Sequence, residues 1–108
     1  MPHIILEHNL EDDRLVNRVC KKLHSALSKQ DSVKLGSIKT RSLPVKDFIF
    51  ADNSIQIDFA HVCLKLLSGR SDELKKTMSE VLFEVLSTEM PSGTLSVEVQ
   101  ELESYSKN

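Results

Sequence analysis

The sequence has no tryptophan, one tyrosine, two cysteines, three glycines and three prolines among 108 residues. So little glycine and proline excludes a collagen-like or low-complexity chain. The two cysteines, Cys20 and Cys63, lie far apart and form no Cys-x-x-Cys unit, which excludes a disulfide framework. They read as buried free thiols in a reducing cytoplasm. No apolar run approaches the roughly 20 residues that a membrane-spanning helix needs. The opening residues 1–14 lack a basic region ahead of an apolar core, so they do not read as a secretory signal. Basic excess is missing too: fourteen Lys and Arg face sixteen Asp and Glu, for a formal charge of −2. That balance argues against a nucleic-acid-binding module, which carries a basic stripe.

What is present suits a globular chain. It is 40% hydrophobic and 28% charged, and 108 residues make one domain, 1–108. A chain of this length buries roughly two-thirds of its unfolded surface, so it needs no staples.

Residues 2–7 carry Ile4, Ile5 and Leu6 without helical spacing and predict a strand. From Glu11 to Ser28 the residues Leu15, Val16, Val19, Cys20, Leu23 and Leu27 form one helical stripe. Acidic Glu11, Asp12 and Asp13 suit its first turn, and Lys21, Lys22 and Lys29 its later part. A second strand is expected over 33–45, with Pro44 marking an edge or bulge. Phe48-Ile49-Phe50 reads as a short extended piece that Asp52-Asn53-Ser54 turns back into a hairpin. Residues 55–67 predict a strand apolar on both faces, with Ile55, Ile57 and Phe59 on one and Ala60, Val62, Leu64 and Leu66 on the other. Ser71 is a candidate N-cap for a second helix with a stripe from Leu74 to Leu86, which Pro91-Ser92-Gly93 stops. Residues 94–102 alternate as a last strand, and the polar tail 103–108 is expected to fray.

The order is β-α-β, a hairpin, then β-α-β, an α+β chain of two similar halves. Two helices cover only one face of such a sheet. The second apolar face calls for a partner chain, so a homo-oligomer is expected.

Three segments carry a resemblance: Met1-Pro2-His3-Ile4-Ile5-Leu6-Glu7, Ile38-Lys39-Thr40-Arg41 and, most specifically, residues 59–71 ending in Gly69-Arg70-Ser71. Together they resemble the 5-carboxymethyl-2-hydroxymuconate delta-isomerase family of the tautomerase superfamily, whose members use an amino-terminal proline as catalytic base. The resemblance spans nearly the whole chain. It implies a βαββαβ tautomerase-like subunit assembled as a homotrimer, with the prolines in pockets near subunit boundaries. It also implies a cytoplasmic, cofactor-independent isomerase of aromatic catabolism that converts a carboxylated dienol, a small anionic substrate, to its conjugated ketone. Carried over by position, Pro2 is the catalytic residue, and Lys39, Arg41 and Arg70 are the substrate-binding residues. The chain has Lys39 where the family pattern has an arginine, and it ends sooner after its last strand than many members do.

The chemistry fits those residue types. A keto–enol isomerase needs a base that is unprotonated near neutral pH yet strong enough to take a proton. Once Met1 is removed, Pro2 is a secondary amine of fixed direction. An apolar pocket and nearby cations lower its pKa. Ile4 with Phe48 or Phe50 is the expected wall, and Lys39, Arg41 and Arg70 supply the field. Arginine matches a carboxylate with a planar fork, and Arg70 opens a helix entry whose free N–H groups also favour anions.

Plainer readings stand beside these. Arg70 can pair with Asp72 or Glu73. His61 alternates with Phe59 and Cys63 and reads first as a packed, hydrogen-bonded histidine. Cys20 and His24 have the spacing to grip a metal, but without a second pair no metal site is expected. Two other functions remain open: a tautomerase of a different enol or keto acid, and a silent trimer that binds small anions or a protein. Retained Met1 favours the last.

Overall fold

Ile4, Ile5 and Leu6 form the middle of β1 (His3–His8), which occupies the centre of the sheet. We describe residues 1–108 from a computed structural model. After β1 come α1 (Asp13–Ser28), one turn of 3-10 helix at Leu35–Ser37, β2 (Lys39–Pro44), β3 (Phe59–Leu67), α2 (Asp72–Glu89) and β4 (Thr94–Leu102). The strand order is β2-β1-β3-β4. β1 runs antiparallel to β3, while β2 lies parallel to β1 and β4 parallel to β3. Each helix is thus the crossover of one parallel pair, and the duplicated β-α-β reading holds.

Alternation sends Ile4 and Leu6 of β1 and Ala60, Val62, Leu64 and Leu66 of β3 under the helices, all at 0% exposure. Val19, Leu23 and Leu27 of α1 and Met78, Leu82 and Leu86 of α2 meet them in one core. Asp12 caps α1 by accepting from the N–H groups of Arg14 and Leu15, so the helix begins at Asp13, two residues later than expected. Ser71 caps α2 through the N–H of Leu74, as expected. Glu89 accepts from Arg18 Nε at 2.6 Å and Lys22 Nζ at 2.9 Å, which ties the end of α2 to the middle of α1.

Three expectations need correction. The second strand begins at Lys39, because Ser32 at φ 67° and the 3-10 turn bend residues 32–37 out of extended form. Pro44 does close an edge strand. The expected hairpin does not form. β1 lies between β2 and β3, so residues 45–58 are a crossing loop in which Phe48 stacks on Phe59 at 4.5 Å. The third strand starts at Phe59 rather than Ile55, because the Asn9 side chain binds the Ile57 carbonyl and the Phe59 N–H and fixes the entry there. Ile55 is left 61% exposed. The uncovered sheet face is therefore mixed rather than apolar. It shows Phe59, His61, Cys63, Lys65 and Leu67 from β3 and His3, Ile5 and Glu7 from β1.

Leu64→Ala removes a fully buried side chain from the central pair. It should cost about 2–5 kcal/mol. Urea unfolding should show a lower midpoint at an unchanged slope. Leu35→Ala, at a site 60% exposed, should stay within about 0.5 kcal/mol of wild type.

Candidate active site

The registers decide which parts of the chain meet. His3 lies opposite both Lys65 and Lys39, and Leu67 opposite Leu102. The amino terminus, the start of β2, the turn after β3 and the segment after β4 therefore share one end of the sheet. Pro2 is buried there, its carbonyl accepting from the Lys39 N–H at 3.0 Å. The Met1 amine donates to the Ser37 carbonyl at 2.9 Å. Burial, then Lys39, Lys107 and Arg70, hold that amine below the usual α-amino range. Every charged group that acts on it is a cation.

Lys39 and Arg70 thus both act on the Met1 amine. Gly69, at φ 117°, makes the turn that brings Arg70 back, a conformation that costs glycine little. Arg70 does not pair with Asp72 or Glu73. Its Nε and Nη2 donate to the Ser32 hydroxyl and carbonyl at 3.3 and 3.2 Å, which anchors the guanidinium beside residues 32–39. Arg41 lies one side-chain step further into the sheet, on the uncovered face with Lys39. Its Nη1 donates to His3 Nδ1 at 3.0 Å, so it acts on His3 rather than on the amine. Burial, then Arg41, Lys39, the amino terminus and Lys65, hold His3 below the usual histidine range.

The expected apolar wall is not where it was sought. Phe48 and Phe50 sit in the loop after β2, at the far end of the sheet, where the Val45 N–H meets the His8 carbonyl. Five residues of β1 separate that end from Pro2. Ile4 is fully buried in the core beneath the helices. A single chain therefore leaves Pro2 with cations but without those aromatic walls. The largest groove, about 700 Å³ between α2 and β4, is lined by residues such as Ser79, Phe83, Glu84 and Val97, none of them from the cationic end.

His61 is a hydrogen-bonded histidine, as the plainer reading had it. Its Nδ1 meets the Ser96 hydroxyl at 2.6 Å and its Nε2 the Glu98 carboxylate at 2.5 Å. His24 Nδ1 is engaged by the Thr40 hydroxyl at 2.7 Å. Both thiols are free, but only Cys63 is buried; Cys20 is half-buried because it sits at the edge of the α1 stripe.

Lys107, Tyr105 and His3 escaped the sequence reading. The tail 103–108 has no helix or strand, yet the Tyr105 hydroxyl meets His3 Nε2 at 2.8 Å and Lys107 acts on the amine. A lone tyrosine in a polar tail was the available signal.

A four-stranded sheet of two parallel β-α-β halves, with the amino terminus set among cations, defines a tautomerase-like subunit. The model of one family, 5-carboxymethyl-2-hydroxymuconate isomerase, matches residues 2–108, and the chain belongs to that family. The Escherichia coli 5-carboxymethyl-2-hydroxymuconate Delta-isomerase is similar, at 28% identity over 94% of this chain and 87% of its own. A crystal structure of a 5-carboxymethyl-2-hydroxymuconate isomerase from Deinococcus radiodurans R1 matches with a TM-score of 0.86 and 31% identity, over 99% of this chain and 89% of that one. A fused 4-OT solved as a wild-type symmetric trimer shares the fold at a TM-score of 0.77 and 15% identity, over 93% and 85% of the two chains.

Removing a cation should let the amine hold its proton more tightly. The amino-terminal pKa should therefore rise in Arg70→Ala, Lys39→Ala and Lys107→Ala, read from the pH dependence of selective amine labelling. Exposed Lys76→Ala should leave it unmoved. Arg41→Ala should move it less than Arg70→Ala, because Arg41 faces His3.

Proposed function

We propose that this chain is a cofactor-independent isomerase that converts a 5-carboxymethyl-2-hydroxymuconate-like dienol to its conjugated ketone, with Pro2 as the base after Met1 is removed. The observation that carries this reading is the placement of buried Pro2 at the end of the sheet where Lys39 begins β2, beside the Met1 amine that burial, then Lys39, Lys107 and Arg70, hold below the usual α-amino range. Family membership over residues 2–108 supports the reaction class. The E. coli relative's name supports the substrate class.

The step follows from those groups. The free proline nitrogen takes the proton of the enol hydroxyl. The electron pair of that O–H bond becomes the carbonyl π bond, the conjugated double bonds shift, and the far carbon takes the proton back from the prolinium. Atoms and charge balance with no cofactor. Arg70, Arg41 and Lys39 hold the carboxylates, and the charge of Arg70 and Lys39 also keeps the amine ready as a base. Such a reaction belongs to the breakdown of aromatic compounds in the cytoplasm, where free Cys20 and Cys63 persist.

The assembly in this reading is a homotrimer. The sheet face that the helices leave open supports it, since half-buried Phe59 and exposed Leu67 lie on it. So does the missing wall at Pro2, which a neighbouring subunit would supply. Light scattering at micromolar concentration should give three times the chain mass; a monodisperse monomer would sink the trimer.

Activity decides the rest. Intact mass should show loss of Met1, and Pro2→Ala should cost most of the turnover of a carboxylated enol. Arg41→Ala and Arg70→Ala should each lower kcat/KM for that substrate roughly tenfold to hundredfold, the size of one charge-assisted bond. An uncharged enol should lose far less. Retained Met1 with no turnover of hydroxymuconates or phenylpyruvate would favour a silent anion-binding trimer.

A further inference from the structure

Tyr105, the only tyrosine of the chain, is held at the amino-terminal end by one hydrogen bond to His3, whose direction follows from the contact of Arg41 with the same ring. Arginine can only donate, so His3 Nδ1, which Arg41 meets at 3.0 Å, must accept. A neutral imidazole that accepts at Nδ1 carries its proton on Nε2. Nε2 therefore donates to the Tyr105 hydroxyl oxygen at 2.8 Å. A doubly protonated ring would set N–H against N–H at Arg41, and the surrounding burial and cations also disfavour it. An edge contact between the two rings, centroids 5.5 Å apart, fixes the phenol further. Because its oxygen already accepts from His3, the half-buried hydroxyl has its own proton left over. No other side chain or carbonyl of the chain takes it.

We propose that Tyr105 donates this hydrogen bond to the enol or keto oxygen of the substrate, with Arg41 and His3 as the positioning residues that aim it. The proposal rests on the isomerase reading and deepens it. While the prolinium holds the migrating proton, the substrate oxygen bears the charge of the intermediate. A donor fixed in advance at that oxygen is stronger on the intermediate than on the neutral enol. Tyr105 keeps its proton throughout, so no bond to it forms or breaks. The cations recognise carboxylates, and Tyr105 recognises the oxygen of a 2-hydroxy-2-enoate or 2-oxo acid.

Tyr105→Phe keeps the ring and removes only the donor. With phenylpyruvate as substrate, its kcat should fall about tenfold to hundredfold while KM stays within about threefold. In titrations, 2-oxoadipate should bind Tyr105→Phe about tenfold more weakly than wild type. Adipate, which lacks the keto oxygen, should bind both alike. His3→Ala should reproduce these losses, and the double variant should be no worse than either single one, since the residues act as one unit. Losses that multiply in the double variant would overturn the positioning role. Equal turnover and equal 2-oxoadipate binding by Tyr105→Phe would overturn the proposal and leave the isomerase reading intact. So would equal weakening of both diacids, or a wild type that binds neither. A wild type that turns over no enol would sink the isomerase reading instead, and the two diacids would still decide whether Tyr105 recognises the oxygen.

Discussion

The antiparallel pairing of β1 with β3 is the constraint on which the rest depends. Six residues of β1 pair with six of β3, from His3 opposite Lys65 to His8 opposite Ala60. Each strand then takes its own parallel partner on the outside, β2 on β1 and β4 on β3. A parallel partner needs a crossover, and both crossovers are amphipathic helices that pack on the same face. The helices and the core follow from that arrangement. So does the gathering of Met1, Lys39, Arg70 and Lys107 at one end, since β1 and β2 begin there and β3 and β4 finish there.

Helices and strands were legible because their signals are local. The stripe from Leu15 to Leu27 and the cap at Ser71 need no knowledge of neighbours. The strand entries were not legible, because they are set by tertiary contacts. Asn9, 50 residues away in sequence, starts β3 at Phe59. A left-handed Ser32 delays β2 to Lys39. Apolar Ile55 and Ile57 argued for strand by type, and their failure shows β-propensity yielding to context.

The candidate site divides the same way. Pro2, Lys39 and Arg70 could be singled out from type and resemblance, and their convergence follows from register. The wall of Phe48 and Phe50 could not be placed, because reading Phe48-Ile49-Phe50 as a hairpin arm turned back at Asp52-Asn53-Ser54 set that loop on the wrong path. Tyr105 and Lys107 were hidden by their setting in a polar tail. Only the pairing of Leu67 with Leu102 carries that tail toward the amino terminus.

Net charge and local charge part company for a topological reason. The turn between β1 and α1 and the loop between β2 and β3 both lie at the end of the sheet away from Pro2. They hold Glu11, Asp12, Asp47, Asp52 and Asp58 against the single cation Lys46. The opposite end collects Lys39, Arg70 and Lys107 around an amine that no acid influences. A chain with a formal charge of −2 therefore still sets cations alone around its amino terminus, a local field that favours a small anion there. Burial first, and those cations next, lower the Met1 amine's affinity for a proton. Under the proposed reaction, attraction of an anionic substrate and activation of the base come from one set of charges, held in place by the registers of four strands.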